Sequence, residues 1–427
     1  MRSGKTFLAI VVVAVVMSTV SAPAISAQSS VHPWPMFGHD QANSGASPYW
    51  GISANPSVAW SKRTNIYYDL NSLALSAENV LYMPTYHQGL LAVDAATGDV
   101  KWGAQYVNFD DREVALAEDG TLYGWEHEVT TNIRMWARDP SGTRLWMGSQ
   151  DTSSSYASPP KIGFDGTIYG PAPNGLHAYD PDGTLKWLSP DYRYLSTRAP
   201  PPIDGQGNLY LNGGAGCVSL DPNGWLRWEK SYGCDSRMIL GPDGNLYYTS
   251  NGTLYVRDAT TGDLVRQATV ANKLQAIGPD GNLYFGQSLI LATDPEGIKI
   301  WEYTPPGGLA GEVLLTVDAA DKVYASIWGG ALALSNTGQL LWRFESSSLR
   351  NTLNQPVIGS DGSIYLMHYD YVTAITPEPA TLSLLAVGLG AVMWMRKGRG
   401  TRLRRGLPDR QAGFGGQAPG RREKGTE

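Results

Sequence analysis

One phrase recurs eight times along this chain. A short turn, usually Asp-Gly, is followed by an apolar residue and a tyrosine. It reads Asn79-Val80-Leu81-Tyr82, Asp119-Gly120-Thr121-Leu122-Tyr123, Asp165-Gly166-Thr167-Ile168-Tyr169 and Gly207-Asn208-Leu209-Tyr210. It continues as Asp243-Gly244-Asn245-Leu246-Tyr247, Asp280-Gly281-Asn282-Leu283-Tyr284, Asp321-Lys322-Val323-Tyr324 and Asp361-Gly362-Ser363-Ile364-Tyr365. Successive tyrosines stand 37 to 46 residues apart. A chain self-similar at that period is built of stacked supersecondary units that bury their apolar faces against one another.

Each unit has a second half about ten residues on: an apolar strand, then Asp, Gly and Trp. Four units carry this half as Asp94, Gly98, Trp102; Asp139, Gly142, Trp146; Asp180, Gly183, Trp187; and Asp221, Gly224, Trp228. A fifth carries Asp294, Gly297, Trp301. Two units depart from the rule: Arg266 stands where Trp is expected after Gly262, and Ser335 replaces Asp before Gly338 and Trp342. Asp-Pro-x-Gly is turn chemistry, with a side-chain acceptor, a fixed φ and a residue free to take positive φ. Both turns close hairpins between short strands rich in Leu, Val, Tyr and Trp. About 40 residues with four short strands make one propeller blade, and a tryptophan on its last strand is a plate that packs between neighbours.

The eighth unit stops after the strand 371–375, with no outer strand of its own. The missing strand sits at the other end, at Ser57-Val58-Ala59-Trp60. The expected fold is therefore all-β: an eight-bladed β-propeller of four-stranded antiparallel blades at 57–376, closed at Trp60 by an N-terminal strand. Seven blades with one decorative hairpin is the alternative. The composition agrees, with 49 Gly, 27 Pro, 23 Tyr and 14 Trp but 17% charged residues.

The termini read as address labels. Arg2 and Lys5 precede an apolar run to Val20 and small residues to Ala27, a secretory signal peptide over 1–27. A leader segment, 28–56, follows. At the other end Pro377-Glu378-Pro379 precedes sixteen apolar or small residues and then the basic group that begins at Arg396. The apolar run is expected to be one C-terminal transmembrane helix, and the basic residues place its far end inside. The tail 397–427 is Gly- and Arg-rich and is expected to be disordered. From Arg396 onward ten Lys/Arg oppose three Asp/Glu, giving +7, and the signal peptide adds +2. With a whole-chain charge of −6, residues 28–395 carry about −15. An exported part so acidic argues against nucleic acid as a partner.

The C-terminal order of Pro-Glu-Pro, apolar helix and basic cluster resembles the PEP-CTERM sorting signal of bacteria. That resemblance implies Pro377, Glu378, Pro379 and Arg396 as the signal and an exosortase-type enzyme as the processing partner. It also implies a protein released or attached at the cell surface, with the membrane engaged through the helix before processing. The retained tail departs from the family, whose members end soon after the basic cluster. The alternative is an uncut anchor. The blade phrase itself resembles the tryptophan-docking repeat of pyrroloquinoline-quinone dehydrogenases and of their non-enzymatic relatives, the PQQ-like repeat propellers. The docking residues so implied are Trp60, Trp102, Trp146, Trp187, Trp228, Trp301 and Trp342.

Catalytic signals are missing. The quinone enzymes stack their cofactor between a tryptophan and a disulfide of adjacent cysteines, and hold Ca²⁺ with Glu, Asn and Asp. Here the two cysteines, Cys217 and Cys234, are well separated, and no haem, Gly-x-Ser-x-Gly, His-Glu-x-x-His or phosphate-loop motif occurs. An isolated cysteine pair in an exported protein is a disulfide candidate. No catalytic residue, cofactor or metal ligand is therefore assigned. His87, His127, His177 and His368, with Glu126 and Asp370, fall near second-to-third-strand hairpins that share one face, and make a candidate ligand face. The plainer reading is exposed loop tips. The sequence points to an exported, non-catalytic binding or scaffold protein of the envelope or surface that engages a protein or polysaccharide. The alternative is a quinone-dependent dehydrogenase or another extracytoplasmic enzyme working at the loop face.

Overall fold

The computed structural model describes residues 31–377 except 64–72, 86–88, 105–113, 130–131, 150–157, 173–174, 190–199, 213–215, 232–235, 307–312, 346–354 and 369–370. The described residues belong to one compact unit that ends at Pro377. The signal peptide, Glu378, Pro379, Arg396, the expected helix and the tail lie outside them. Among the described residues no helix is long and apolar enough to cross a membrane.

The fold is an eight-bladed β-propeller. Eight antiparallel sheets follow one another, and within seven of them strand order follows the chain. The first blade shows the plan: Ala74–Leu75, Val80–Thr85, Gly89–Asp94 and Val100–Ala104, each paired with the next. The second and third strands are buried on both faces, and the outer strand is half exposed, which explains their near-continuous apolar sequence. Blade four departs from four strands: its innermost strand is reduced to a single bridge, Ile203 to Leu209. Pro200, Pro201 and Pro202 account for this, because none of the three has an N–H to give a ladder.

The ring closes where the sequence puts the seam. Strand Pro56–Arg63 pairs antiparallel with Tyr371–Pro377, with Val58 opposite Ile375 and Trp60 opposite Ala374. The eighth sheet is thus made from both ends of the unit.

Each docking tryptophan does the same two things. Its indole N–H donates to a carbonyl in the third-to-fourth-strand turn of the next blade: Trp102 to Pro140, Trp146 to Pro181, Trp187 to Pro222 and Trp228 to Ala259, at 2.7–3.0 Å. Trp301 donates to Asn336, and Trp60 carries the chain of contacts from blade eight to Ala95 of blade one. The indole also lies flat over that turn's glycine, so a Cβ on Gly142, Gly183 or Gly224 would meet it at 2.7–2.9 Å. On its own blade each of these indoles leans on the repeat tyrosine, with ring centroids 5.9–6.2 Å apart. Blade five has Arg266 instead. Its guanidinium lies 5.8 Å from the Tyr247 ring centroid, and its Nε donates to Pro295 O at 3.0 Å. Arginine thus replaces both contacts with one planar cation. Blade eight lacks the receiving turn, and there the leader supplies the carbonyl: Trp342 donates to Ile52 O at 2.8 Å.

Candidate functional site

The first strands of the blades line the propeller axis. The N-terminal leader runs round them just before the Asp-Gly turns. Trp34 exchanges backbone hydrogen bonds with Leu75 of blade one, and Leu116 of blade two donates to Pro35 O. Ile203, Leu240 and Ile277 of blades four, five and six donate to Gln41, Ala42 and Ser44. In blade seven Val317 donates to Gly45 O and accepts from Ser47 N. The leader is a ring within the ring, held by its backbone, so nothing in its side-chain pattern announces the path. Its strongest signals are Gly45, whose φ is +67° and whose Cβ would stand 2.9 Å from Gln275 O, and the buried Asn43.

Inside this ring lies a polar core made from six blades. Lys161, fully buried on the first strand of blade three, donates to Phe37 O, Asp40 O and Asn43 Oδ1. Three acceptors call for three N–H groups, which is the ammonium form. Burial nevertheless pushes the amine down to about 7, with Asp40 opposing and Arg237 reinforcing that shift. Asn43 Nδ2 ties the leader to Pro200 O at 2.7 Å and Met238 O at 3.3 Å. Arg237 of blade five reaches Gln355 of blade eight at 3.1 Å and Gln275 of blade six at 3.3 Å, and lies over Phe37. Gln355 in turn donates to Leu315 O of blade seven.

The leader passes over blade three without a backbone hydrogen bond to its inner strand. It turns at Met36–His39, with His39 N donating to Met36 O and positive φ at Gly38 and His39. A cavity of about 260 Å³ is left between the leader and the turns of blades two and three.

The candidate ligand face is not gathered in the same way. His87 and Asp370 lie outside the described residues, and of His127 only the backbone, within strand Leu122–Val129, is described. His177 and His368 are buried rather than at loop tips. His177 packs edge-on against Trp125 of the neighbouring blade and contacts Tyr179 Oη at 3.2 Å. Burial pushes His177 down to about 4 and His368 to about 3, so both rings are neutral at physiological pH. Glu126 is buried too. Its two oxygens accept from Arg144 Nη2 at 2.6 and 2.7 Å, and Arg138 stands 3.6 Å away. Burial raises this carboxyl while the two guanidiniums oppose it, and their contacts mark it as a structural ion. Cys217 is buried at the start of strand Cys217–Leu220, and Cys234 lies outside the described residues.

Among the described residues the quinone–calcium pair of the dehydrogenases has no matching set of side chains. The cysteines are not adjacent. Lys161 and Arg237 are engaged with Asn43 and Gln355, and no three His, Cys, Asp or Glu among the described residues could hold a metal ion.

Comparison with known proteins agrees with the fold. A family model described as outer membrane protein assembly factor BamB matches residues 50–268, and one described as the PEP-CTERM protein-sorting motif matches 376–397. No curated protein gives a significant match. Among solved structures, the quinohemoprotein alcohol dehydrogenase of Comamonas testosteroni is 14% identical, with a TM-score of 0.63 over 82% of each chain. A europium-containing methanol dehydrogenase is 15% identical, with a TM-score of 0.59 over 80% of this chain and 90% of its own. BamB from Moraxella catarrhalis is 16% identical, with a TM-score of 0.53 over 76% of this chain and 98% of its own.

Proposed function

The chain belongs to the family described as outer membrane protein assembly factor BamB, and from that membership we propose that it is a non-catalytic binding or scaffold propeller of the cell envelope. It carries a PEP-CTERM motif, which implies export and processing by an exosortase-type system. The observation that supports the reading is the leader's attachment to the inner ends of the blades. Lys161 and Asn43 tie the leader to blades three, four and five, and Arg237 joins blade five to blades six and eight. Likeness to the alcohol and methanol dehydrogenases extends to fold alone, since one propeller architecture hosts unrelated functions.

The test is oxidation. The purified chain is incubated with pyrroloquinoline quinone and Ca²⁺ and assayed with a redox dye across short alcohols. No saturable turnover is expected, and saturable turnover abolished by Lys161→Met or by chelation would overturn the proposal. Mature boundaries after Ala27 and within the sorting signal 377–396 belong to the same proposal, as does a structural Cys217–Cys234 disulfide. Intact-mass and peptide-mass measurement of the exported protein reads all three. A mature terminus beyond Arg396 would instead favour a retained anchor.

A further inference from the structure

We propose that the turn face of the propeller, the end that carries the Asp-Gly turns and the leader, is a membrane-contact surface that seats exposed Trp and Ile side chains in the headgroup layer of a bilayer. The closing strand Tyr371–Pro377 runs toward that end. Ile375 pairs with Ile364, just after the Asp361-Gly362 turn, and Pro377 lies two residues further on. In the sequence only Glu378 and Pro379 separate Pro377 from the apolar run that begins at Ala380. Three residues of extended chain reach about 10 Å. A bilayer that takes up the run therefore comes within about 10 Å of the turn face, little more than one headgroup layer of about 5–8 Å.

The same face shows apolar groups that its turns do not require. Trp225 and Ile298 close the third-to-fourth-strand turns of blades four and six, where their carbonyls accept from Asp221 N and Asp294 N. The matching carbonyls in other blades belong to Asp99, Thr143, Thr184, Asp263 and Gln339, so a polar residue closes the turn equally well. Yet Trp225 is 74% exposed and Ile298 is 66% exposed. Trp50 of the leader is 70% exposed. Its carbonyl lies beside Gly362 of blade eight, and the next residue, Gly51, donates to Asp318 of blade seven. Trp50 thus stands over the turns of the blade that ends at Pro377, while Trp225 belongs to the blade across the ring. Large apolar groups set singly at distant points of one face suit a flat partner, and indole rings settle where lipid meets water. The turn carboxylates give no attraction to anionic lipid, so the partner surface is zwitterionic and the short exit of the chain holds it close.

The inference rests on uptake of the apolar run by a bilayer, but the two fail separately. The full chain is reconstituted into phosphatidylcholine nanodiscs and given a hydroxyl-radical pulse, and oxidation of each tryptophan is read by peptide mass spectrometry. Trp328 is the internal reference: it is 58% exposed between strands Val323–Ile327 and Gly330–Leu334, at the opposite end of the blades. Trp50 and Trp225 are expected to be oxidised about fivefold more slowly than Trp328, as side chains withdrawn from water into the interface. A spacer of about twelve Gly and Ser residues between Pro379 and Ala380, whose coil reaches about 20 Å, lets the face leave the bilayer without touching the propeller. It should bring both residues within about twofold of Trp328. Equal oxidation of the three tryptophans in the parent overturns the proposal and leaves the membrane anchor standing. Protection of Trp50 and Trp225 that survives the spacer does the same. A chain that fails to co-purify with the discs removes the anchor, and this proposal with it.

Discussion

Gly224→Ala is expected to destabilise the ring by about 3–6 kcal/mol. Gly224 sits at φ +81°, where a residue with a Cβ loses about 1–2 kcal/mol. The new Cβ would lie 2.9 Å from two ring atoms of Trp187, closer than real Cβ contacts come. The indole has nowhere to retreat without breaking its 2.9 Å hydrogen bond to Pro222 O, worth about 1 kcal/mol, and straining its packing by about 1–3 kcal/mol. A built-in control lies one turn further along the chain. Gly244 has nearly the same φ, +79°, and nothing within 4 Å of a built Cβ, so Gly244→Ala should lose only the backbone part. Urea denaturation followed by tryptophan fluorescence and far-UV CD gives both midpoints, and coincident curves with unchanged slopes license the comparison. If the two variants lose equal stability, the reasoning about docking is wrong: the glycines would matter only for their turns.

Arg266→Ala should lose about 1–2 kcal/mol, because both the Tyr247 contact and the bond to Pro295 O disappear, while Arg266→Trp should stay within about 1 kcal/mol of the parent in the same melts. Lys161→Met removes the donor from three acceptors, one of them buried and two part-buried, and should loosen the leader by about 3 kcal/mol; limited proteolysis with mass readout should find faster cleavage within 32–52. Asp321 carries the pH prediction: its carboxyl is pushed up to about 6, first by burial and then by Asp280. A carboxyl raised in the fold favours the folded state below its unfolded value and loses that advantage as pH rises through about 6. Asp321→Asn should therefore match the parent near pH 4 and exceed it by about 1 kcal/mol at pH 8, the figure discounted for solvent screening. Asn79 already occupies the equivalent turn position of blade one at the same positive φ, so the substitution fits the backbone.

The ring was legible because each unit repeats its own turn and plate. The Asp-Gly, Tyr and Gly-x-x-x-Trp signals are side-chain signals, and the eighth unit's missing outer strand pointed directly to Val58 and Trp60. Arg266 read as an exception, yet it makes the contacts of the residue it replaces. The leader's course was not legible. It binds the blades through carbonyls at Pro35, Gln41, Ala42 and Ser44, and a backbone contact leaves no mark on residue type. The histidines show the limit in the other direction. Rare polar residues near hairpins suggest a ligand face, but His177 lies within the strand Gly175–Tyr179 between two large aromatic rings, where its period-2 neighbours already implied an interior position. The partners of Glu126, two arginines 12 and 18 positions on, meet it only through strand pairing.

A seam made from both ends of the unit sets a timetable. Ser57 and Thr376 are 319 positions apart, so joining them freezes out about 5 kcal/mol of chain entropy before any contact repays it. A polypeptide that leaves the cytoplasm amino end first must keep its closing ribbon waiting while seven blades emerge. The last residue of the waiting partner strand is Pro377, opposite Pro56, and the next residue belongs to the sorting signal. The closing strand and the address label are therefore neighbours at the end of the chain's emergence. Pro377 ends the closing strand and also opens the Pro-Glu-Pro motif, so seam and sorting motif share one residue.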